Sequence, residues 1–274
     1  MMKTALYDDT DAELFERLLP AVVEAGEAIL RIRGSGNKVE TKADHSPVTA
    51  ADRAAEAILL RALHDLCPGV PIVAEEEVAA GRAPEVTTTY FAVDALDGTK
   101  DFLRGGPDFT VNVGLVRDGR AVAGIVGAPA TGTLWLGLDG RGAFRIEAGG
   151  ERIPIRVRVP DPEALDIIAS RSHRTAETDA FIARFPGAHI VAAGSSLKLT
   201  AVAEGRADLY PRLAPTSQWD IAAGHAVLAA AGGRVLDLDG DELRYERRPR
   251  PDGHPFLNPW FVATGGLDPF AAPA

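Results

Sequence analysis

The stretch Thr87-Thr88-Thr89-Tyr90-Phe91-Ala92-Val93-Asp94-Ala95-Leu96-Asp97-Gly98-Thr99 decides how this chain folds. The run from Thr87 to Val93 is β-branched, aromatic or apolar, as a buried strand is. It then breaks into two aspartates three residues apart, with Gly98-Thr99 next. The run from Val70 to Ala74 behaves the same way and breaks into Glu75-Glu76-Glu77. Strands that end in carboxylates deliver polar groups to one edge of a sheet, where sites are built. Taken singly, Asp97-Gly98-Thr99 is an ordinary turn and the glutamates are a solvated acidic face. Taken together they form a set of oxygen ligands. Hard cations such as Mg²⁺ require such oxygens, and a bridging carboxylate holds two ions about 4 Å apart around a phosphoryl group. A glycine beside them lets a phosphate approach the backbone closely.

Working outward, Thr10 to Arg33 carries Leu14, Leu18, Val22, Ala25, Ile29 and Leu30 at helical spacing, with Gly34 as its end and Pro20 disturbing a straight path. A second helix is expected from Thr49 to Leu66, stopped by Pro68-Gly69. Beyond Phe109 the alternation of Phe109, Val111, Val113 and Leu115 leads into Asp118-Gly119. With Trp135 to Leu138, Asp139-Gly140 and Ala143 to Ile146, it predicts a meander of antiparallel hairpins. The second half alternates strand and helix: Ile167 to Ala169, Ala176 to Phe185, His189 to Ala192, Ser195 to Glu204, Ala207 to Tyr210, Asp220 to Ala231 and Arg234 to Leu238. The fold class is α/β of the α+β kind. Two tightly packed lobes, 1–150 and 151–274, are expected from the length.

With 46% hydrophobic and 25% charged residues among 274, the composition is that of an ordinary globular protein. A net charge of −10 opposes binding to a nucleic-acid polymer, which relies on Lys and Arg releasing counterions. An anionic small molecule stays compatible, because bound cations reverse the local field. The single cysteine, Cys67, excludes an internal disulfide and fits a reducing compartment. No run reaches the ~18 apolar residues of a membrane span, and the acidic start has no apolar signal core. A cytoplasmic location is therefore expected, and oligomer formation is left open.

Other polar groups have two readings each. Thr49-Ala50-Ala51-Asp52 is a capping box at a helix start, or half of a catalytic pair. Asp220, after Trp219 and before an Ala-rich helix, is an N-cap or a ligand. Ser195, Ser196 and Lys198 hold an anion at a helix N-terminus or merely cap it. His173, within Ser170-Arg171-Ser172-His173, and Arg212, after Tyr210-Pro211, are by default solvated surface groups.

Three ordered segments resemble the signatures of the inositol monophosphatase superfamily of lithium-sensitive phosphatases. They are Ile72-Val73-Ala74-Glu75-Glu76, Val93-Asp94-Ala95-Leu96-Asp97-Gly98-Thr99 and Trp219-Asp220-Ile221-Ala222-Ala223-Gly224. From Lys42 almost to Val262 the chain is similar, more narrowly, to the bacterial CysQ-type 3′(2′),5′-bisphosphate nucleotidases. The stretches that carry this are residues 42–52, Gly98-Thr99-Lys100-Asp101-Phe102, Ser170-Arg171-Ser172-His173, Gly194-Ser195-Ser196-Leu197-Lys198, Leu209-Tyr210-Pro211-Arg212 and Phe256-Leu257-Asn258-Pro259.

The resemblance implies a layered αβαβα sandwich with an antiparallel sheet in the first half and a mixed sheet in the second. It implies a Mg²⁺-dependent phosphomonoesterase that converts 3′-phosphoadenosine 5′-phosphate to AMP, with 3′-phosphoadenylyl sulfate as a further candidate substrate. Two or three Mg²⁺ ions are implied. Glu75, Asp94 and the Leu96 carbonyl would hold the first, Asp94, Asp97 and Asp220 the second, and Glu75 with water a weaker third. Leu96, Asp97, Gly98, Thr99 and Asp220 would surround the departing phosphate. His173, Ser195, Ser196, Lys198 and Arg212 would hold the nucleotide and its 5′-phosphate. Asp52, Glu75 and Thr99 would be catalytic, the Thr99–Asp52 pair taking a proton from the attacking water while Glu75 orients it.

Glu75-Glu76-Glu77 leaves the register of the glutamate open by one residue, and Glu75 is the choice made here. The chain departs from the family pattern at Ala95, where proline is usual, and at Ala74, where Ser or Gly precedes the glutamates. The nearest rival is a phosphatase of the same superfamily acting on inositol or another sugar or alcohol phosphate. A non-catalytic nucleotide or metal binder is a rival of another class, opposed by the presence of both Thr99 and Asp52.

Overall fold

The structure is a computed structural model that describes residues 9–35, 39–41, 47–171, 174–245 and 255–271. In chain order the first half holds α1 (Asp9–Ser35), β1 (Val39–Thr41), β2 (Pro47–Thr49), α2 (Ala50–Leu66), β3 (Ile72–Ala74), α3 (Glu75–Ala79), β4 (Thr89–Asp97) and α4 (Thr99–Leu103). A meander follows of β5 (Thr110–Arg117), β6 (Arg120–Ala128), β7 (Thr133–Leu138), β8 (Gly142–Ile146) and β9 (Arg152–Ile155). The remainder is β10 (Asp166–Ser170), α5 (Ala176–Ile182), β11 (His189–Ala193), α6 (Leu197–Ala203), β12 (Leu209–Arg212), α7 (Gln218–Ala230), β13 (Arg234–Asp237) and β14 (Phe261–Thr264).

Beside the small β1-β2 pair, β3 to β9 form a seven-stranded sheet in chain order, and a five-stranded sheet runs β11-β10-β12-β14-β13. Except for the parallel β3–β4 pair the first sheet is antiparallel; the second is mixed. Alternation along the strands assigns the faces. Phe91 and Val93 of β4 pack with Phe15, Leu18 and Val22 of α1 and Leu59 and Leu63 of α2. Tyr90 and Ala92 pack on the other face with Trp219, Ala222 and Val227 of α7. In the second sheet, Ile168, Tyr210 and Phe261 face α6 and α7, whereas Ile167, Leu209 and Val262 face Phe181 and Ile182 of α5. The layers are thus α1/α2, sheet, α6/α7, sheet, α5, the expected αβαβα sandwich.

Several boundaries differ from the sequence reading for local reasons. α1 runs through Pro20 because Pro20 and Glu16, whose carbonyl loses its helical partner, both face water. α5 ends at Ile182, and the bonds Arg184 N to Phe181 O and Phe185 N to Ile182 O tighten the chain before Pro186. α6 begins at Leu197, since Ser195 has φ of +47° and cannot continue a right-handed helix. The Asp118-Gly119 turn has positive φ at both residues, the geometry that matches strand twist in a two-residue hairpin.

The seating of α7 depends on a row of glycines. Gly114 pairs with Gly124 and Gly124 with Gly137 across β5, β6 and β7. A Cβ on Gly124 would lie 2.4 Å from the Ala223 carbonyl oxygen, and one on Gly137 2.4 Å from the Val227 Cα. The helix backbone therefore rests directly on the sheet. Gly124→Ala forces that layer apart and is expected to destabilise the protein by about 1–3 kcal/mol, measured by urea unfolding.

Candidate active site

Asp94 and Asp97 do not follow β4 but lie inside it, in place of the strand end expected at Val93. Asp94 pairs with Asn112 and Asp97 with Thr110, so three steps on β4 oppose two on β5. The extra residue is a β-bulge. Ala95 and Leu96 both turn into the α1/α2 core. Asp94 keeps the facing of Tyr90 and Ala92, and Asp97 lines the same cleft as Asp94, where a regular strand would point residues three apart to opposite faces. The sheet thus presents both carboxylates toward α7.

Glu75, at the start of α3, Asp94 and Asp220 each bring a carboxylate oxygen within 4.8 Å of the others. Glu75 is the residue of its run that joins the group. Glu76 offers its N–H to Glu56 (3.0 Å) and Glu77 pairs with exposed Arg82 at 2.7 Å. Asp97 stands outside this three-way group. Its Oδ2 accepts the Ser196 hydroxyl at 3.3 Å, and Lys198 opposes the rise that burial imposes on its carboxyl. Burial lifts the Asp94 carboxyl well above its usual range, and Glu75, Asp97 and Asp220 add to the effect. Burial, then Asp97 and Glu75, push Asp220 up to about 8.

Asp220 is not an N-cap, the simpler of its two sequence readings. Ser217 precedes α7, and Asp220 sits one turn in, accepting the Ser217 N–H at 2.7 Å. Phe256 and Asn258 anchor this end. Gln218 N donates to Phe256 O (2.9 Å), and Asn258 Nδ2 donates to Ser217 O (2.6 Å) and Thr216 Oγ1 (3.2 Å). That gives Phe256-Leu257-Asn258-Pro259 a structural task.

Of the two readings of Thr49 to Asp52 the structure shows the capping box, and it leaves one Asp52 oxygen over. Asp52 Oδ2 accepts the Thr49 N–H and hydroxyl, each at 2.7 Å, and closes the capping box of α2. Asp52 Oδ1 is left for the Thr99 hydroxyl at 3.4 Å, which also reaches the Leu96 carbonyl at 3.1 Å. Gly98 has φ of +92°, and a Cβ there would meet the Asp108 carbonyl at 2.5 Å, so a close approach of backbone requires glycine.

Basic groups line the same cleft. Lys198 and Arg212 are 5% and 8% exposed, so Arg212 is not the solvated arginine of its default reading. Burial pushes the Lys198 ammonium down to about 8, against the pull of Asp97. Its Nζ donates to the Ser195 carbonyl and lies 5.3 Å from the Tyr210 ring centre. Arg212 donates to Pro215 O at 2.8 Å. Ser196 does not cap α6; its hydroxyl donates to the Asp220 carbonyl at 2.8 Å. Arg212 Nε and Ser195 Oγ are out of solvent with no partner among the described residues. His173 lies outside the described residues. Acidic and basic groups share one cleft of about 990 Å³.

The sequence reading missed Glu56. It is buried one turn after Asp52 on α2 and supports the α3 backbone through Glu76 N. The i, i+4 spacing from Asp52 was its available signal. Burial, opposed by the Glu76 N–H and aided by the neighbouring glutamates, pushes its carboxyl up to about 7.

The sequence profile of the inositol monophosphatase family matches residues 11–260. The chain is 38% identical over 253 residues to the 3′(2′),5′-bisphosphate nucleotidase CysQ of Salmonella typhimurium, covering 92% of this chain and 99% of that one. It is 40% identical over 240 residues to the CysQ nucleotidase of Escherichia coli, covering 86% and 94%. The chain belongs to the inositol monophosphatase family. Among solved structures, CysQ from Bacteroides thetaiotaomicron superposes with a TM-score of 0.76 at 33% identity, covering 96% of this chain and 99% of that one. The inositol monophosphatase family is metal-dependent and generally uses Mg²⁺. The donor set here fits such an ion: all-oxygen, desolvated and mutually repelling until a cation offsets its charge. No helix among the described residues is long and apolar enough to cross a membrane.

Proposed function

We propose that this protein is a Mg²⁺-dependent 3′(2′),5′-bisphosphate nucleotidase that releases the 3′-phosphate of 3′-phosphoadenosine 5′-phosphate and leaves AMP. The observation that carries this reading is that one cleft holds both an acidic cluster and buried cations. Glu75, Asp94 and Asp220 gather there, and buried Lys198 and Arg212 line the same cleft. A substrate with two phosphates can use both sets of groups, whereas a simple sugar monophosphate has no second charge for Lys198 and Arg212. The CysQ nucleotidases to which the chain is similar support the same choice.

In this reading Glu75, Asp94 and the Leu96 carbonyl would hold one Mg²⁺, Asp94, Asp97 and Asp220 would hold a second, and Glu75 would help hold a third. Bound there, Mg²⁺ supplies Lewis-acid polarisation of the phosphoryl oxygens and offsets the charge that builds up during in-line displacement by water. Thr99 passes a proton from that water toward Asp52 Oδ1, the acceptor already beside its hydroxyl. Asp52 can do this without loosening α2, because its other oxygen carries the cap. Gly98 admits the phosphate, while His173, Ser195, Ser196, Lys198 and Arg212 hold the 5′-phosphate and nucleoside. The orphaned Arg212 Nε and Ser195 Oγ supply donors suited to anionic oxygens.

Phosphate release from a panel of 3′-phosphoadenosine 5′-phosphate, 3′-phosphoadenylyl sulfate, inositol 1-phosphate and fructose 1,6-bisphosphate, with Mg²⁺ or EDTA, tests the assignment. The adenosine bisphosphate should rank first and EDTA should remove turnover. If it ranks among the poorest substrates, the assignment is wrong. Lys198→Ala should raise KM for the bisphosphate by about 10- to 100-fold, as expected for a lost charge-assisted contact, and change KM for a monophosphate little.

A further inference from the structure

Arg171, in the Ser170-Arg171-Ser172-His173 motif, has no task in the mechanism above, yet its placement ties the end of β11 to the segment from Asp101 to Asp108. Its guanidinium bridges two carboxylates of the first half, Asp101 of α4 at 3.2 Å and Asp108, before β5, at 2.8 Å. The same side chain donates to the Ala192 carbonyl of β11 at 3.3 Å, and its backbone N–H donates to Ala193 O at 3.2 Å. Asp108 Oδ2 also accepts the Gly194 N–H at 3.1 Å.

Asp108 is wedged between two turns that line the cleft. A Cβ on Gly98 would lie 2.5 Å from its carbonyl oxygen, and a Cβ on Gly194 2.8 Å from its Cβ and 2.8 Å from Asp101 Oδ2. Gly98 leads into Thr99. Gly194 leads into Ser195, whose carbonyl takes Lys198 Nζ. Ser195 also holds the unfavourable φ of +47°, which persists only where neighbours over-determine it. Arg171 and Asp108 hold the two residues before it, Ala193 and Gly194, and a planar guanidinium that pairs with two carboxylates fixes their geometry better than a flexible ammonium does.

We propose that Arg171 is a positioning residue: with Asp101 and Asp108 it clamps the Gly194-Ser195-Ser196 turn to the Gly98-Thr99 turn and so sets the spacing at which two phosphates of one substrate are read. The spacing half of the proposal rests on the nucleotidase reading; the clamp does not. Because the guanidinium is 44% exposed, its ion pairs add little to global stability and the Arg171→Ala protein folds.

Two measurements on the full chain, wild type beside Arg171→Ala and Arg171→Lys, test it. Hydrogen exchange of the metal-free proteins should show faster exchange in residues 190–198 and 105–109 for Arg171→Ala, with α1 and α7 unchanged. Unaltered exchange in those two segments overturns the clamp whatever the substrate. Steady-state kinetics with Mg²⁺ should show KM for 3′-phosphoadenosine 5′-phosphate raised about 10-fold or more in Arg171→Ala. Its kcat, and KM for adenosine 3′-monophosphate, should stay within about twofold, with Arg171→Lys recovering part of the loss. An equal rise in KM for both substrates, or a fall in kcat alone, overturns the spacing role. A wild-type protein that ignores the bisphosphate overturns the nucleotidase reading and the spacing role with it, while the exchange result still decides the clamp.

Discussion

Replacing Asp94 with Asn lowers metal-dependent phosphate release by at least about a thousandfold and leaves the fold intact. Asp94 is 2% exposed and accepts the Leu96 N–H through Oδ1 at 2.9 Å. The amide oxygen of Asn preserves that bond and the bulge geometry, so the variant loses charge and ligand strength rather than shape. Asp94 is the carboxylate assigned to both proposed ions, and its loss weakens charge stabilisation worth several kcal/mol in the transition state, about 1.4 kcal/mol per factor of ten. Rates with saturating Mg²⁺, read beside circular dichroism, check this; a native-like spectrum with near-normal turnover sinks the role of the cluster. The same substitution removes one of the mutually repelling carboxyls, so the metal-free variant should melt higher than the metal-free wild type at pH 8.5.

Without metal, wild-type stability should fall as pH rises from about 4 to about 8, and Mg²⁺ should reverse the loss. Asp52, Asp94 and Asp97 are raised from an ordinary value of 3.8, Glu56 from 4.5 to about 7 and Asp220 to about 8. Folded carboxyls with raised pKa bind more protons than unfolded ones through that window. The unfolding free energy then decreases with pH, and the penalty is complete once the folded groups ionise. Mg²⁺ competes with those protons and offsets the charge, so its effect grows with pH. At a concentration a hundredfold above its dissociation constant a ligand adds about 2.7 kcal/mol, which at this chain length raises Tm by roughly 5 °C. Melting curves at pH 5 and pH 8.5, with EDTA or Mg²⁺, should show a small and a large shift respectively. An equal shift at both values contradicts the electrostatic account of the cluster.

How much was legible in the sequence depended on how local each signal was. The capping box Thr49 to Asp52 was written in adjacent residues, and α2 starts where it says. The hairpin at Asp118-Gly119 and the strands beside it were equally local. Ser195 was read as helical because its neighbours are, and only the contacts around it hold its φ at +47°. Glu56 was passed over because burial, which makes a surface-type residue informative, is not a property of sequence. Arg212 was assigned a solvated default for the same reason.

By itself the sequence determined the chemistry on offer: a strand ending in aspartates, a run of glutamates, a helix opening on Asp220 and a set of basic residues spaced far along the chain. Which of those groups meet was decided by tertiary structure. One extra residue between Asp94 and Asp97 turns both to the α7 face of the sheet. The glycine row lets the α7 backbone lie against that face, so Asp220 comes within reach of Asp94. The start of α3, held by Glu56 through the Glu76 N–H, places Glu75 in the cluster while Glu77 pairs with Arg82. The physical reason is that facing depends on register and close approach on the absence of a Cβ, and both are set by partners distant in the chain.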